Sequence, residues 1–423
     1  MTQRKLGSLA LAVVTVVVSI AAATASATTN ASSPGTLPTV DDASIQARFT
    51  SIGGADPLAT DQTIPHWFST YVDPNNGLTY GYNMVGVDPA SNGSSTIPVD
   101  IIPLNLVFEG SGGLNMNGAD VVARTIDSPI FKSIDYSTVA ESTGGAGVLS
   151  AGNVGQYEDA VMRSQFNKVG SGYHLKLGTP SVLATETISI PQNQGLLALN
   201  GRGVILGRVS ISWFSAQINN LMNTLRVDPT HLSIFLTNNV MLYIGKPGNC
   251  CVIGYHGAGK APGSGTGNPN SNGNAKVQTF MFASYTTPGT FNNLKTPGSG
   301  GYWIKDIHAL GHELAEWGDD PFINNAVEPW LTPTAPQYGC TGLLETGDPV
   351  VGIGFNVGTN PYDTNAFSDG AYHPEDEAFL GWFARFAPQN NPSQPEQGKM
   401  TGRYTFMGAL NPFPAFRAPA TGC

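Results

Sequence analysis

Ile307-His308-Ala309-Leu310-Gly311-His312-Glu313-Leu314-Ala315-Glu316-Trp317 is the stretch on which the reading of this chain turns. Its centre, His312 to Glu316, is one letter away from H-E-x-x-H. In that pattern two His one helical turn apart hold zinc, and the Glu beside the first is the general base. Here the fifth position is Glu316, so the pattern is H-E-x-x-E. On a helix, residues four apart project from one face. That sets His312 beside Glu316, with His308 a turn earlier. Ile307, Leu310, Leu314 and Trp317 fall on the other side and form the expected core contact. The spacing predicts a helix over 303–317, entered from a Gly-rich turn and stopped at Gly318.

In this scheme His312 supplies a ring nitrogen and Glu316 a carboxylate oxygen. A third ligand has to come from elsewhere in the chain. Leu343-Leu344-Glu345-Thr346-Gly347-Asp348 offers Glu345 as that ligand, and Asp348 as a partner for the second nitrogen of a ligating His. Asp319 and Asp320 are rivals, or simply cap the turn after the helix. A bound Zn2+ would lower the pKa of a water towards ~7, and Glu313 would take the proton. Attack on a peptide carbonyl is the expected outcome. One His with several carboxylates also suits harder cations such as manganese or calcium. The plain alternative is a structural polar helix whose carboxylates bind Arg or calcium.

The other histidines are less telling. His256, after Cys250-Cys251, is a candidate for oxyanion stabilisation or metal ligation, with a structural role of equal weight. His308 reads as a residue behind the ligands, or as an extra ligand. His373 is expected to cap a helix over 374–386, whose Pro374, Glu375, Asp376 and Glu377 suit a helix N-terminus. His66, His174 and His231 read as structural.

The N-terminus reads as a signal peptide over 1–27, with an uncleaved anchor as the alternative. Arg4 and Lys5 precede an apolar run, and Ala25-Ser26-Ala27 is an A-x-A cleavage site. Export to a secreted, extracellular or periplasmic location follows. The 423 residues include 51 Gly and only 12% charged residues, a balance that suits a loop-rich extracellular protein. Net charge is −10 and no basic cluster follows the signal, which argues against nucleic acid as a partner. No stretch after the signal is apolar enough for stable membrane insertion. The four Cys imply disulfides in an exported chain. Adjacent Cys seldom bond each other, so Cys250 and Cys251 are each expected to reach Cys340 or Cys423.

Residues 28–98 are Thr-, Ser-, Pro- and Asn-rich. They read as an extended N-terminal segment, with removal as a pro-segment an open alternative. The remainder, 99–423, reads as one domain. Short apolar runs at 101–108 and 277–285 read as buried strands, and 231–244 as two short strands. The stretch 173–190 looks like a hairpin or paired strands. Helical spacing at 157–167 and 210–225 gives two amphipathic helices, and 257–273 reads as a Gly-rich loop. Strands alternating with helices indicate an α/β or α+β fold with a mixed sheet.

With these residues collected, the chain resembles bacterial secreted proteins related to the plant Exordium (phosphate-induced) family. The likeness rests on His312 to Glu316 followed by Asp320-Pro321, on Glu345-Thr346-Gly347-Asp348, and upstream on Phe235-Leu236-Thr237 and Cys250 to Gly257. It spans roughly residues 200–350. The resemblance implies an exported protein with a zincin-like metallohydrolase core. Plant members lack the intact His-Glu motif and act at the cell wall. Two functions are therefore expected as alternatives. One is a zinc metallopeptidase acting on a peptide or protein, with Glu313 as base. The other is a non-catalytic protein binding cell-wall polysaccharide, with Trp213, Trp303, Trp330 and Trp382 as stacking candidates.

Overall fold

The computed structural model describes residues 63–138, 152–261, 276–291, 304–334, 336, 339–386, 404–408 and 414–423. The expected signal peptide and residues 28–62 of the N-terminal segment lie outside these residues.

The strands that frame the site are β1 (His66–Val72), β2 (Thr79–Val85), β3 (Val99–Phe108), β4 (Glu186–Ile190), β5 (Gly195–Leu199), β6 (Ile205–Ser210), β7 (Leu232–Asn238), β8 (Val240–Tyr243), β9 (Cys250–Val252), β10 (Gly254–Lys260), β11 (Val277–Tyr285), β12 (Ala326–Leu331) and β13 (Cys340–Leu343). The helices that pack around it are α1 (Tyr157–Gln165), α2 (Ile211–Leu225), α3 (His308–Asp319) and the short α4 (Leu380–Phe383).

The central sheet runs β4-β3-β7-β11-β10. Pairing is parallel from β4 through β11, and β10 is antiparallel to β11. Both faces of this sheet are covered, which is why β7 and β11 are buried along nearly their whole length. The pleat still sorts their side chains. Leu232, Ile234 and Leu236 of β7, with Met281, Ala283 and Tyr285 of β11, join one apolar cluster. Phe235, Phe280 and Phe282 point the other way into a second cluster. The second cluster is covered by α2 through Phe214, Ile218 and Met222. The first is covered by α3, whose Ile307 flank, Leu310, Leu314 and Trp317 are fully buried. Each such burial is worth about 1.5–3 kcal/mol. Trp317 also donates its indole N–H to Thr279 Oγ1 of β11 at 2.9 Å, fixing how the helix lies on the sheet. A smaller sheet, β5-β6-β8-β9, brings Cys250 and Cys251 alongside.

Several elements depart from the sequence reading. Helix α3 begins at His308 and continues through Gly318 to Asp319, where the Asp320 N–H still bonds Glu316 O at 2.7 Å. The helix expected over 374–386 shrinks to α4. Residues 372–378 are extended instead, because Glu375, Asp376 and Glu377 are all drawn into buried polar contacts. His373 caps no helix; it sits between Asp306 at 2.6 Å and Asp369 at 3.0 Å. The stretch 173–190 is not a hairpin. Its strand at 174–177 pairs with 94–97, and β4 pairs with β3. Residues 257–260 belong to β10 and not to a loop, while 262–275 lie outside the described residues. From Thr63 onward the N-terminal segment is part of the body. β1 and β2 pair, and Tyr71, Tyr80, Tyr82 and Met84 enter the main apolar cluster.

The disulfides are also a correction. Cys250 bonds Cys251, and Cys340 bonds Cys423. Topology gives the reason. β9 belongs to the small sheet, whereas Trp330 of β12 bridges to Gly422 and so delivers the C-terminus to β13, where Cys340 sits. The Cys340–Cys423 bond holds the C-terminus to β13, and neither Cys250 nor Cys251 reaches it.

Candidate metal centre

Helix α3 is buried on every face. Its apolar side meets the sheet, and its polar side meets β10, the 345–348 turn and the extended 372–378 stretch. His312 and Glu316 are neighbours as the i,i+4 spacing requires, with His312 Nε2 3.3 Å from Glu316 Oε1. The same Nε2 lies 4.0 Å from Asp348 Oδ1. His312, Glu316 and Asp348 each aim a ligand atom into one space, all within 4.8 Å of one another.

The other side of the His312 ring is fixed. Its Nδ1 is 3.1 Å from Glu375 Oε2, which also lies 2.6 Å from His308 Nε2. Burial pushes the Glu375 carboxyl up, but His308 and His312 outweigh it and hold it below the usual range. An ionised carboxylate only accepts, so His312 Nδ1 carries a proton, and in the neutral ring Nε2 is the nitrogen left to face Glu316 and Asp348. This is the carboxylate–histidine arrangement that orients metal ligands. The role expected of Asp348 thus falls to Glu375, and Asp348 stands among the ligand atoms. Gly347 makes the approach of this turn feasible. A Cβ there would lie 2.4 Å from His312 Nδ1.

Glu345, expected as third ligand, is fully buried but faces His256, with Oε2 4.0 Å from Nε2. His256 is fully buried on β10. Its Nδ1 lies 3.5 Å from Glu313 Oε2 and 3.4 Å from Glu316 Oε2. These three residues form a second group of converging ligand atoms. His256 does not line the pocket described below; its Nδ1 faces Glu313 and Glu316 instead. Asp319 and Asp320 are taken up elsewhere. Asp319 accepts from Gln165 at 2.7 Å, and Asp320 accepts from the Asn324 and Asn325 N–H groups, capping the turn.

The electrostatics are those of a buried acid cluster that could hold a cation. Both oxygens of Glu316 and Glu345, Glu313 Oε2 and Asp348 Oδ2 are buried without a hydrogen-bond partner. Among the described residues, no Lys or Arg pairs with any of the four. Burial, then Glu316, pushes Glu345 and Asp348 well above the carboxylate range. Burial likewise takes Glu313 up to about 7, against the His256 hydrogen bond. Glu316 is held low, because His312 and His256 outweigh its burial. Burial would lower both His256 and His312, yet the carboxylates around them raise both. Unpaired buried carboxylates cost several kcal/mol each unless they protonate or meet a cation.

A pocket of about 100 Å³ opens onto His312, Glu313 and Asp348. Val252, Ile253, Ile304 and Val351 supply apolar wall, and Gly254 lies against Glu313. A Cβ on Gly254 would come 2.5 Å from Glu313, so the strand can pass this carboxylate only as glycine.

Of the remaining candidates, His174 and His231 pair with Asp159 and Asp100, and His66 contacts Ile64 O. Trp330 and Trp382 are core residues and Trp213 packs half-buried against the second apolar cluster; Trp303 lies outside the described residues. Sequence reasoning missed Glu375 and Glu377, which accepts from Tyr157 OH at 2.9 Å. The only signal for either was an acidic run after Pro374, which reads equally well as a helix start.

No protein-family model matches the chain, and no curated protein or solved structure matches it. The likeness to Exordium-related proteins therefore stands on its short motifs.

Proposed function

We propose that this chain is a secreted metal-dependent hydrolase of the metallopeptidase type, with a zincin-like helix and His312, Glu316 and Asp348 as the residues that hold the metal. The observation that carries the reading is the clamped His312. Its Nδ1 is committed to Glu375, and its Nε2 faces two carboxylates at the floor of a pocket. The orphaned oxygens of Glu316 and Asp348 fit a divalent cation, because such a cation removes the cost of their burial.

A divalent metal bound there supplies Lewis acidity towards a carbonyl and an attacking water. The protein's own part is proton handling and positioning. Glu313 lines the pocket, and burial sets its carboxyl up to about 7, near the pH at which a general base works best. It takes the proton from water on Oε1 and returns it to the leaving nitrogen. Glu375 keeps the His312 ring from rotating. The walls of Val252, Ile253 and Val351 exclude bulk water and offer an apolar side chain of a peptide somewhere to sit. Zinc is the first candidate, with manganese second because two of these three ligands are carboxylates.

The test is elemental analysis of protein purified without chelator or His tag, beside the His312→Ala form. Transition metal in the parent that falls in the variant supports the reading. A parent without any transition metal sinks it.

A further inference from the structure

Glu316 has two faces. Its Oε1 lies 3.3 Å from His312 Nε2, and its Oε2 lies 3.4 Å from His256 Nδ1. Neither oxygen has a hydrogen-bond donor. One carboxylate thus stands between two histidines, each with a further carboxylate beyond it: Asp348 on the His312 side, Glu313 on the His256 side.

The His256 side is difficult to explain without a second cation. Its Nε2 lies 3.2 Å from the Asp320 carbonyl oxygen, which can only accept, so Nε2 carries a proton. In the neutral ring Nδ1 then bears a lone pair. That lone pair points at Glu316 Oε2 and Glu313 Oε2, at 3.4 and 3.5 Å. Charge-assisted N–H···O contacts are typically about 2.7–2.9 Å, so these are spaced too widely for a well-made ion pair. Three electron-pair donors converge on one space with nothing between them. A backbone carbonyl fixing the far nitrogen is how a ligating His is normally held.

Glu313, Glu316, Glu345 and Asp348 are all buried here, and among the described residues no Lys or Arg pairs with them. Glu345, with both oxygens orphaned, lies beside His256 on that side.

We propose that the centre takes two divalent cations bridged by Glu316, one on His312 and Asp348, the other on His256 Nδ1 and Glu313. The proposal rests on the metal-site reading above and extends it. It gives Glu313 two exclusive roles, proton acceptor when only the His312 position is filled and ligand when both are. Paired-metal sites that activate water and steady a leaving group lie about 3.5–4 Å apart, a span one carboxylate bridges.

The experiment is a stoichiometry measurement on the chain dialysed against Zn2+ and, separately, Mn2+. Two equivalents per chain are expected, falling to one in His256→Ala. One equivalent in the parent, unchanged in His256→Ala, overturns the second position and leaves the first standing, with a protonated His256 as the internal cation. None in the parent defeats both readings. Electron paramagnetic resonance of the Mn2+-loaded parent needs no variant. A spin-coupled pair is expected, and an isolated six-line spectrum at saturating Mn2+ overturns the bridge.

Discussion

Glu375 Oε2 lies 3.1 Å from His312 Nδ1, on the side of the ring away from Glu316, although 63 residues separate the two in sequence. The contact sets which nitrogen of His312 is free. Without it the ring can turn or take the other tautomer, and the ligand atom is lost from the Glu316–Asp348 space. Glu375→Ala should therefore weaken metal binding by about 10–100-fold, the usual cost of losing the group behind a ligating His. Glu375→Gln, which keeps an acceptor oxygen, should fall nearer the lower end. A chelator-competition titration measures both. Equal affinity in parent and Glu375→Ala would show that Glu375 is only a structural acid.

Glu313 should separate binding from turnover. Gln has the same shape but cannot accept the proton of an attacking water at pH 7. Glu313→Gln is expected to keep the cation on His312 while hydrolysis drops by ~10²–10⁴, the usual contribution of a general base. Turnover of a peptide substrate, with metal content measured on the same sample, decides it. Activity within a few-fold of the parent would assign the proton transfer to some other group.

Gly347 offers a test of position without any change of charge. A methyl group there would lie 2.4 Å from His312 Nδ1, where real Cβ atoms are not found. Something must move, and the ring on its single Glu375 contact is the softest neighbour. Gly347→Ala should cost at least about 10-fold in metal affinity, as other losses of ligand orientation do, while far-ultraviolet circular dichroism stays like that of the parent. Unaltered affinity would mean that the 345–348 turn has room to retreat.

These residues also mark how far the sequence could be read. His312 and Glu316 are a local pair, set by helix pitch alone, and so are Leu310, Leu314 and Trp317 on the sheet side. The strands at 232–238 and 277–285 are legible as strands from their local sequence. Glu375 has no such signature. It lies in an extended stretch without periodicity, and its acidic neighbours after Pro374 imitate a helix start. Which of Glu345 and Asp348 faces His312 depends on the course of the short turn between them, which spacing alone does not set. The Cys340–Cys423 pairing depends on the bridge between Trp330 and Gly422, which only the folded chain creates. Local spacing gave the His312–Glu316 pair; the groups that face it come from segments whose approach is a tertiary fact.

The metal-free protein should lose stability as pH rises. Three buried acids away from the ligand atoms set the sign. Burial raises Glu158 well above the ordinary carboxylate range, with Asp319 next in effect. Burial takes Asp319 up to about 8, against its Gln165 hydrogen bond, and Asp376 up to about 7, against the Met407 N–H. In the unfolded chain each loses its proton near pH 4. Between that pH and about 8 the folded state holds protons that the unfolded state has released, so stability falls with rising pH across this window. His312 and His256, whose folded values are raised, act in the same direction above pH 6.5, since the stability they lend is lost as pH passes their folded values. A bound cation takes the place of protons at the centre, so its stabilising effect should grow with pH. Melting temperatures of chelated and Zn2+-saturated protein at pH 5, 6.5 and 8 are the measurement. The chelated form should melt highest at pH 5, and the gap between the two forms should be widest at pH 8. A chelated protein that grows more stable from pH 5 to 8 would mean that these acids are ionised and paired in the folded state, and that no cation is needed to hold them.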